Sequence, residues 1–400
     1  MDRAQVKAAR HFVETLLFII WPFGAFISAL FHIKDRYSNI FMYAFFALIG
    51  YSRKLNISDD AYHWMRQMLD YKSYELPEFL NYLFDITSLN FYSFSYHIYL
   101  YICSVLFDHT AYYWAANFFL FSLVILLIFR LITGDRLKEN VLFITFLGFL
   151  MLFFFPFSSF GVRFWIAALV FVTGFYLKTL RNKKIGTFFI ILSVTFHYTF
   201  IFYAAVYFFV SNTKNLAKIQ IMAYAIAMFA IGTVLYVSGV FDFLNVFDDK
   251  VEGYSDTANR GEYFSSKSFF ILFDRFAYTI ASLLLLLHLH KVTAATNDSK
   301  ILYIKRFLFF CVLSLLLLLG FYDALDRFSR VFSFMVLTFW IYLNNKGFKT
   351  NAFVTLFAGT AYLYHIMVNF VLTRSWVDLD VFMNSCFEIL SSPKDVILIY

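Results

Sequence analysis

The chain has 400 residues, of which 61% are hydrophobic and 58 are Phe, against about 45–50% apolar in ordinary soluble domains. So much apolar surface excludes a soluble globular protein, and four prolines with 14 glycines exclude a flexible linker or low-complexity tail. The net charge of +7 matches the excess of Lys and Arg in the cytoplasmic loops of membrane proteins, so it implies no nucleic-acid partner.

Residues 1–11 are basic and precede an apolar run at 12–31. This run is long for a signal peptide and lacks a small-x-small cleavage site, so it reads as a retained first helix. A helix needs roughly 20 apolar residues to cross about 30 Å of hydrocarbon. Further runs at 38–51, 111–132, 141–157, 163–180, 187–210, 220–239, 269–287, 307–321, 331–344 and 352–372 bring the expected spans to about eleven, within a range of roughly nine to thirteen. No internal repeat is visible. The expected fold is all-α: a polytopic integral membrane protein, with residues 1–400 forming one membrane domain.

Two segments depart from the pattern. Residues 52–110 mix charge with aromatic groups. There Ser58 is a good N-cap, and Asp59 and Asp60 suit the first turn of a helix dipole. Ala61, Trp64, Met65, Met68 and Leu69 form an apolar stripe. Pro77 can open a second helix with Phe79, Leu80, Leu83 and Phe84 on its apolar face. These read as helices lying in the outer membrane surface. The run 91–107 is either another in-plane helix or a span. Residues 240–268 form a polar loop with six acids and three bases.

Bases without acids cluster in one set of loops: Lys34 and Arg36; Arg130, Arg136 and Lys138; Lys178, Arg181, Lys183 and Lys184; Lys214 and Lys218; Lys291, Lys300, Lys305 and Arg306; Lys346 and Lys349. These are 17 of the 33 bases, with only four of the 26 acids (Asp35, Asp135, Glu139, Asp298). This set is expected to be cytoplasmic, which turns 52–110 and 240–268 outward. The same register places Arg3, Lys7 and Arg10 outside. Basic loops also flank both sides of 187–210. Either that segment is a hairpin with its tip near Phe196-His197-Tyr198-Thr199, or it is one span with Lys214 and Lys218 outside.

Charges at membrane depth are costly and mark function by default. The outer-end candidates are Arg163, His197, the pair Asp274-Arg275, the group Asp323, Asp326, Arg327 and Arg330, and Arg53 with Asp59 and Asp60. Several arginines at outer ends call for an anion, and a phosphate or pyrophosphate suits the planar fork of donors. Each residue also has a structural reading: Arg163 as a head-group anchor, His197 as a core histidine, Asp274-Arg275 as an ion pair, Asp323 to Arg330 as a solvated turn, Asp59 and Asp60 as caps. Cys103, Cys311 and Cys386 lie in apolar surroundings without metal or redox spacing and read as inert buried thiols. No zinc spacing, Gly-rich phosphate loop or Ser-His-Asp order is present, so the signal is a constellation of polar residues.

Gly161-Val162-Arg163-Phe164-Trp165-Ile166-Ala167-Ala168, then Tyr176, a lysine-rich turn, Phe188 to Leu192 and Phe196-His197-Tyr198-Thr199, resembles the EpsG-like branch of the Wzy-type polysaccharide polymerases. In that family an Arg-x-x-x-Ala helix is followed by a basic turn and an apolar segment containing Phe-His. Arg53-x-x-Asn56-x-x-Asp59-Asp60-x-Tyr62 resembles the family's Arg…Gly-x-Asp…Tyr stretch, with Ile57 and Ser58 where the glycine is usual. Asp326-Arg327-Phe328-x-Arg330 resembles its late Arg-rich segment, and Lys250 with Tyr254 its Lys…Tyr element. The usual Arg-Gln is Arg163-Phe164 here, so no role is carried over for the second position. The resemblance is diffuse and spans roughly residues 40–345.

The resemblance implies a GT-C-like membrane glycosyltransferase of the bacterial inner membrane. It would join undecaprenyl-pyrophosphate-linked oligosaccharide repeat units of an O-antigen, capsule or exopolysaccharide on the outer face, without metal or nucleotide sugar. Donor and acceptor would both be lipid-linked, the surroundings membrane lipid, and a chain-length regulator a further partner. Arg163, Arg275, Arg327, Arg330 and Arg53 would hold pyrophosphate. His197, or one of Asp59, Asp60, Asp323 and Asp326, would serve as base. His197 could alternatively be a phosphate ligand. Tyr62, Tyr198 and Tyr254 would meet sugar. A flippase for lipid-linked units would also hold pyrophosphate but should show a pseudo-repeat. A membrane sugar O-acetyltransferase should offer cytoplasmic-side chemistry, and those loops hold few His or acids.

Overall fold

A computed structural model describes residues 3–53, 60–84, 93–134, 141–154, 162–212, 269–317, 322–373 and 379–391. The expected span 220–239, the loop 240–268, and Ser58, Asp59, Lys250 and Tyr254 lie outside the described residues. Every regular element among those described is helical: α1 (Arg3–Ile20), α2 (Pro22–Phe31), α3 (Ser38–Tyr51), α4 (Asp60–Tyr71), α5 (Leu76–Leu83), α6 (Phe94–Leu106), α7 (Thr110–Thr133), α8 (Val141–Phe154), α9 (Val162–Arg181), α10 (Ile185–Phe196), α11 (Phe200–Asn212), α12 (Phe269–Val292), α13 (Ser299–Leu317), α14 (Tyr322–Asn345), α15 (Ala352–Thr373), a 3-10 turn (Leu379–Phe382) and α16 (Cys386–Ser391). By length and composition three helices can cross a membrane: α7, α9 and residues Ala352–Asn369 of α15. Phe273, Phe276, Ile280, Leu284 and Leu287 of α12 are exposed at helical spacing. An open apolar stripe of this kind suits lipid rather than water.

Helix α14 is the centre of the bundle, with every residue from 331 to 343 buried. Helices α7, α8, α12 and α13 pack on it, and Tyr176 of α9 shares a 2.7 Å hydrogen bond with Thr338. Helices α1 to α3 lie outside α7, α10 and α11 outside α9, and α15 outside α12. Glycines allow the closest approach: a Cβ on Gly174 of α9 would stand 2.7 Å from the Gly186 carbonyl of α10.

The first apolar run is not one crossing. Trp21 precedes Pro22, and a residue before proline is pushed out of the helical region by the ring. Trp21 has φ −150° and ψ 84°, and Pro22 opens α2. The chain reverses there. Lys7, Arg10 and His11 of α1 all reach Asp35, which follows α2. Ser28 and Ser38 both donate to Glu14, which is fully buried. Lys7 and Arg10 therefore lie at the same end as Lys34 and Arg36, which corrects their expected place at the outer end.

The run 187–210 also reverses. Gly186, at the start of α10, packs on Gly174 and Lys178 of α9. His197, after its end, packs on Phe164 near the start of α9. Phe200 of α11 meets Phe164, Tyr203 meets Phe171, and Tyr207 meets Phe175, so α11 runs back along α9. The hairpin is thus the alternative the structure adopts, with its tip at residues 197–199. Its arms of 12 and 13 residues are about 18–20 Å long, too short for the hydrocarbon thickness.

The segment after Arg53 forms the expected short helices. Met65 and Met68 of α4 and Phe79 and Leu83 of α5 are buried, whereas Leu69, Leu80 and Phe84 are exposed and do not share the packed face. Glu75 and Glu78 close a capping box around Pro77. Helix α6 has 13 residues, about 20 Å, too short to cross the hydrocarbon by itself. Cys103 and Cys311 are buried free thiols, but Cys386 is only half-buried, a departure from the expectation for all three.

Candidate functional site

The two ends of the bundle differ in kind. At one end, bases meet the carbonyl ends of helices. Lys34 donates to the Thr133 hydroxyl and the Gly134 carbonyl, and Lys300 Nζ donates to the Leu180 carbonyl at 2.8 Å. Lys305 donates to the carbonyls of His290 and Thr293. Cations at helix C-termini satisfy orphan carbonyls and the negative end of the dipole. This basic end gathers most of the base-rich loops read from sequence.

The far end gathers the candidate site. Arg163, in the first turn of α9, donates from Nη1 to Ser93 Oγ at 2.8 Å, and its guanidinium lies 4.6 Å from the Trp64 ring centre. Helix α4 and the start of α6 thereby meet the start of α9. Tyr71 and His97 share a 2.6 Å hydrogen bond between α4 and α6, and Trp64 stands edge-on to His97. The charge of Arg163 reaches Tyr96 and His97. Arg53, after α3, is buried with its guanidinium 4.0 Å from the Trp114 ring centre. Tyr113, beside Trp114, lies 3.5 Å from the Tyr96 hydroxyl. Outside the spans, Lys72 donates to Asp108 at 2.6 Å, and that hydrogen bond holds the Asp108 carboxyl below its ordinary value.

His197 is buried in the turn between α10 and α11. The Thr199 N–H donates to His197 Nδ1 at 3.4 Å, and the Thr199 hydroxyl lies 2.8 Å from the same nitrogen. An amide N–H can only donate, so Nδ1 accepts and a neutral ring carries its proton on Nε2. The Tyr198 ring stacks on His197 at 5.2 Å. Phe164 joins the groups: its ring lies 5.4 Å from His197 and 6.3 Å from Phe328 of α14.

Around Phe328, Arg330 Nη2 donates to Asp326 at 2.9 Å, and the Tyr278 hydroxyl donates to the other Asp326 oxygen at 3.2 Å. Arg327 is half-buried on the same turn. Behind Tyr278, Asp274 bonds His365 Nδ1 at 2.9 Å, with both side chains buried. Asn369 Nδ2 is 3.1 Å from the other ring nitrogen of His365. The described partner of Asp274 is therefore His365; the side chain of Arg275, like those of Asp60 and Asp323, lies outside the described residues. Tyr62 is half-buried against the core.

The structure thus assembles Arg53, Arg163, His197, Asp326, Arg327 and Arg330 at one end, from segments far apart in sequence. To that end it adds His97 and His365, which the sequence reading did not single out; Glu14, also not singled out, lies towards the basic end. His97 and His365 carry no formal charge and sit in runs that hydropathy reads as uniformly apolar; an ionisable group inside such a run was the available signal. Among the described residues no group of three metal-ligating side chains is present. Comparison with protein-family models, curated proteins and solved structures finds no match to this chain.

Proposed function

We propose that the chain is a Wzy-type glycosyltransferase that polymerises undecaprenyl-pyrophosphate-linked repeat units on the outer face of the bacterial inner membrane. The observation that supports this reading is the convergence of Arg163, His197 and the Asp326–Arg330 turn around Phe164 and Phe328, at the end opposite the basic loops. With the basic end cytoplasmic, that constellation faces outward, where the lipid-linked donor and acceptor would meet. Residues 220–239 and the other expected runs complete about eleven membrane segments, two of the described ones, 12–31 and 187–210, each being a hairpin.

In the reaction, the bond between the donor's anomeric carbon and pyrophosphate oxygen breaks, and a bond to the acceptor hydroxyl oxygen forms. The hydroxyl proton passes to a base. Negative charge grows on the departing pyrophosphate, and Arg163 and Arg327 are suited to stabilise it. The tautomer assigned to His197 makes Nε2 a donor, so His197 serves as a phosphate ligand rather than as the base. Asp326 is held by Arg330 and Tyr278, which leaves Asp59, Asp60 and Asp323 for proton acceptance.

A deletion strain tests the reading. Single repeat units should still reach surface lipid, because their export does not need a polymerase. Lipid-linked units trapped inside, with none exported, would make the chain a flippase instead. Orientation is tested by a cysteine at Ser255, which should react with an impermeant maleimide in intact spheroplasts; reaction only after lysis would overturn the outward site.

A further inference from the structure

At the basic end, the α1–α2 hairpin, the turn after it and the start of α8 line an open, shallow pocket of about 660 Å³. Its polar lining is Lys7, Arg10, His32, Lys34, Asp35 and Arg36. Four bases face Asp35 in the lining and the buried Glu14 carboxylate 3.9 Å from Arg10 behind it, so basic side chains outnumber acids four to two. The arrangement is built rather than incidental. Asp35 ties Lys7, Arg10 and His11 of α1 to the turn, and Lys34 is fixed on the end of α7. Glu14 holds the two arms together below it through Ser28 and Ser38.

The rim is of the opposite character. Val6, Phe31 and Val141 line the same pocket and are each about half exposed. Basic side chains beside these half-exposed apolar ones match an amphiphile, with an anionic group among the bases and acyl chains on the rim. Free phosphate shares the charge but makes no use of the apolar rim. Arg36 is exposed and can meet phosphate oxygens with two parallel donors. Basic pockets between helices at the cytoplasmic side suit anionic head groups.

We propose that this pocket binds the phosphate of an anionic phospholipid head group. The site lies at the opposite end from Arg163 and His197, and it does not rest on the polymerase reading.

The test uses the purified full-length chain in neutral detergent. It is titrated with short-chain phosphatidylglycerol, with phosphatidylcholine of the same chain length, and with inorganic phosphate, following the shift in thermal unfolding. Phosphatidylglycerol should saturate at least about tenfold below phosphatidylcholine, and inorganic phosphate should not compete at matched concentration. Lys7→Gln with Arg36→Gln should weaken phosphatidylglycerol about tenfold while the lipid-free protein melts as the parent does. Val141→Glu places a carboxylate at the rim without removing a base, at a helix start where an acid is tolerated; it should weaken the lipid likewise, and it decides the matter should the double variant not fold. Equal affinity for the two lipids, unchanged affinity in a folded variant, or inorganic phosphate competing as well as the lipid would each overturn the proposal.

Discussion

At His197 the hydrogen bond from the Thr199 amide sets which nitrogen can donate. His197→Gln keeps a side-chain N–H donor, so a reconstituted assay should find donor binding weakened less by Gln than by Ala. Equal loss of turnover with donor binding intact in both would restore the residue as a base. Arg163 bonds Ser93 and stacks on Trp64 at once, which a lysine's point charge cannot reproduce. Arg163→Lys and Arg327→Lys should shorten the polymer strongly at normal protein levels; full-length polymer would return both to anchoring roles. For the Asp274–His365 pair, removing one partner leaves the other buried and unsatisfied. Asp274→Leu or His365→Leu should therefore cost about 1–3 kcal/mol in thermal unfolding, and the double variant less than the sum of the two. Asp35 is raised by burial but lowered more by His11, the Tyr37 amide and Lys7, so its folded value lies below the ordinary one. Its grip on α1 is complete above the unfolded value of about 3.9 and is lost as pH falls through the lower folded value. Hydrogen exchange of residues 3–14, corrected for intrinsic rate, should rise only in that acid range.

At the scale of elements, helix positions were legible because long apolar runs leave few alternatives: 38–51, 111–132, 163–180 and 352–372 each became a helix within two residues of those limits. Direction was not legible in the same way. Hydropathy registers apolar length, and a run that doubles back is as apolar as one that crosses. At 12–31 the Trp21-Pro22 step was the local signal for reversal. At 187–210 the signal came from basic loops on both flanks, and only packing against α9 decided it. Cysteines at Thr187 and Tyr207 test the second hairpin. In one continuous helix these positions would stand about 30 Å apart, whereas Thr187 reaches the Tyr207 hydroxyl in the hairpin. A bifunctional maleimide spanning roughly 10 Å, longer than a disulfide allows, should couple the two thiols; failure to couple them would favour the single span. Gly174→Ala should lower stability by about 1–3 kcal/mol, since its new methyl meets backbone that cannot step aside; an unchanged melting temperature would show that α9 and α10 can part.

For the whole molecule, the candidate site was legible as a set of residues but not as a geometry. Arg53, Arg163, His197 and Asp326 stood out as polar groups in apolar runs, yet nothing local says that Phe164 and Phe328 bring them to one end. The two hairpins have a consequence for how the chain is mapped across a bilayer. Each adds two helices and no crossing, so it leaves the parity of the chain unchanged. Counting each apolar run as one crossing would assign every later loop to the wrong side after the first hairpin and back to the right side after the second. An enzymatic reporter fused after Arg36 should therefore give the same sidedness as one at the N-terminus, and one fused after Lys184 the same as one after Asn212. Opposite readings across either pair would mean that the segment between them crosses after all.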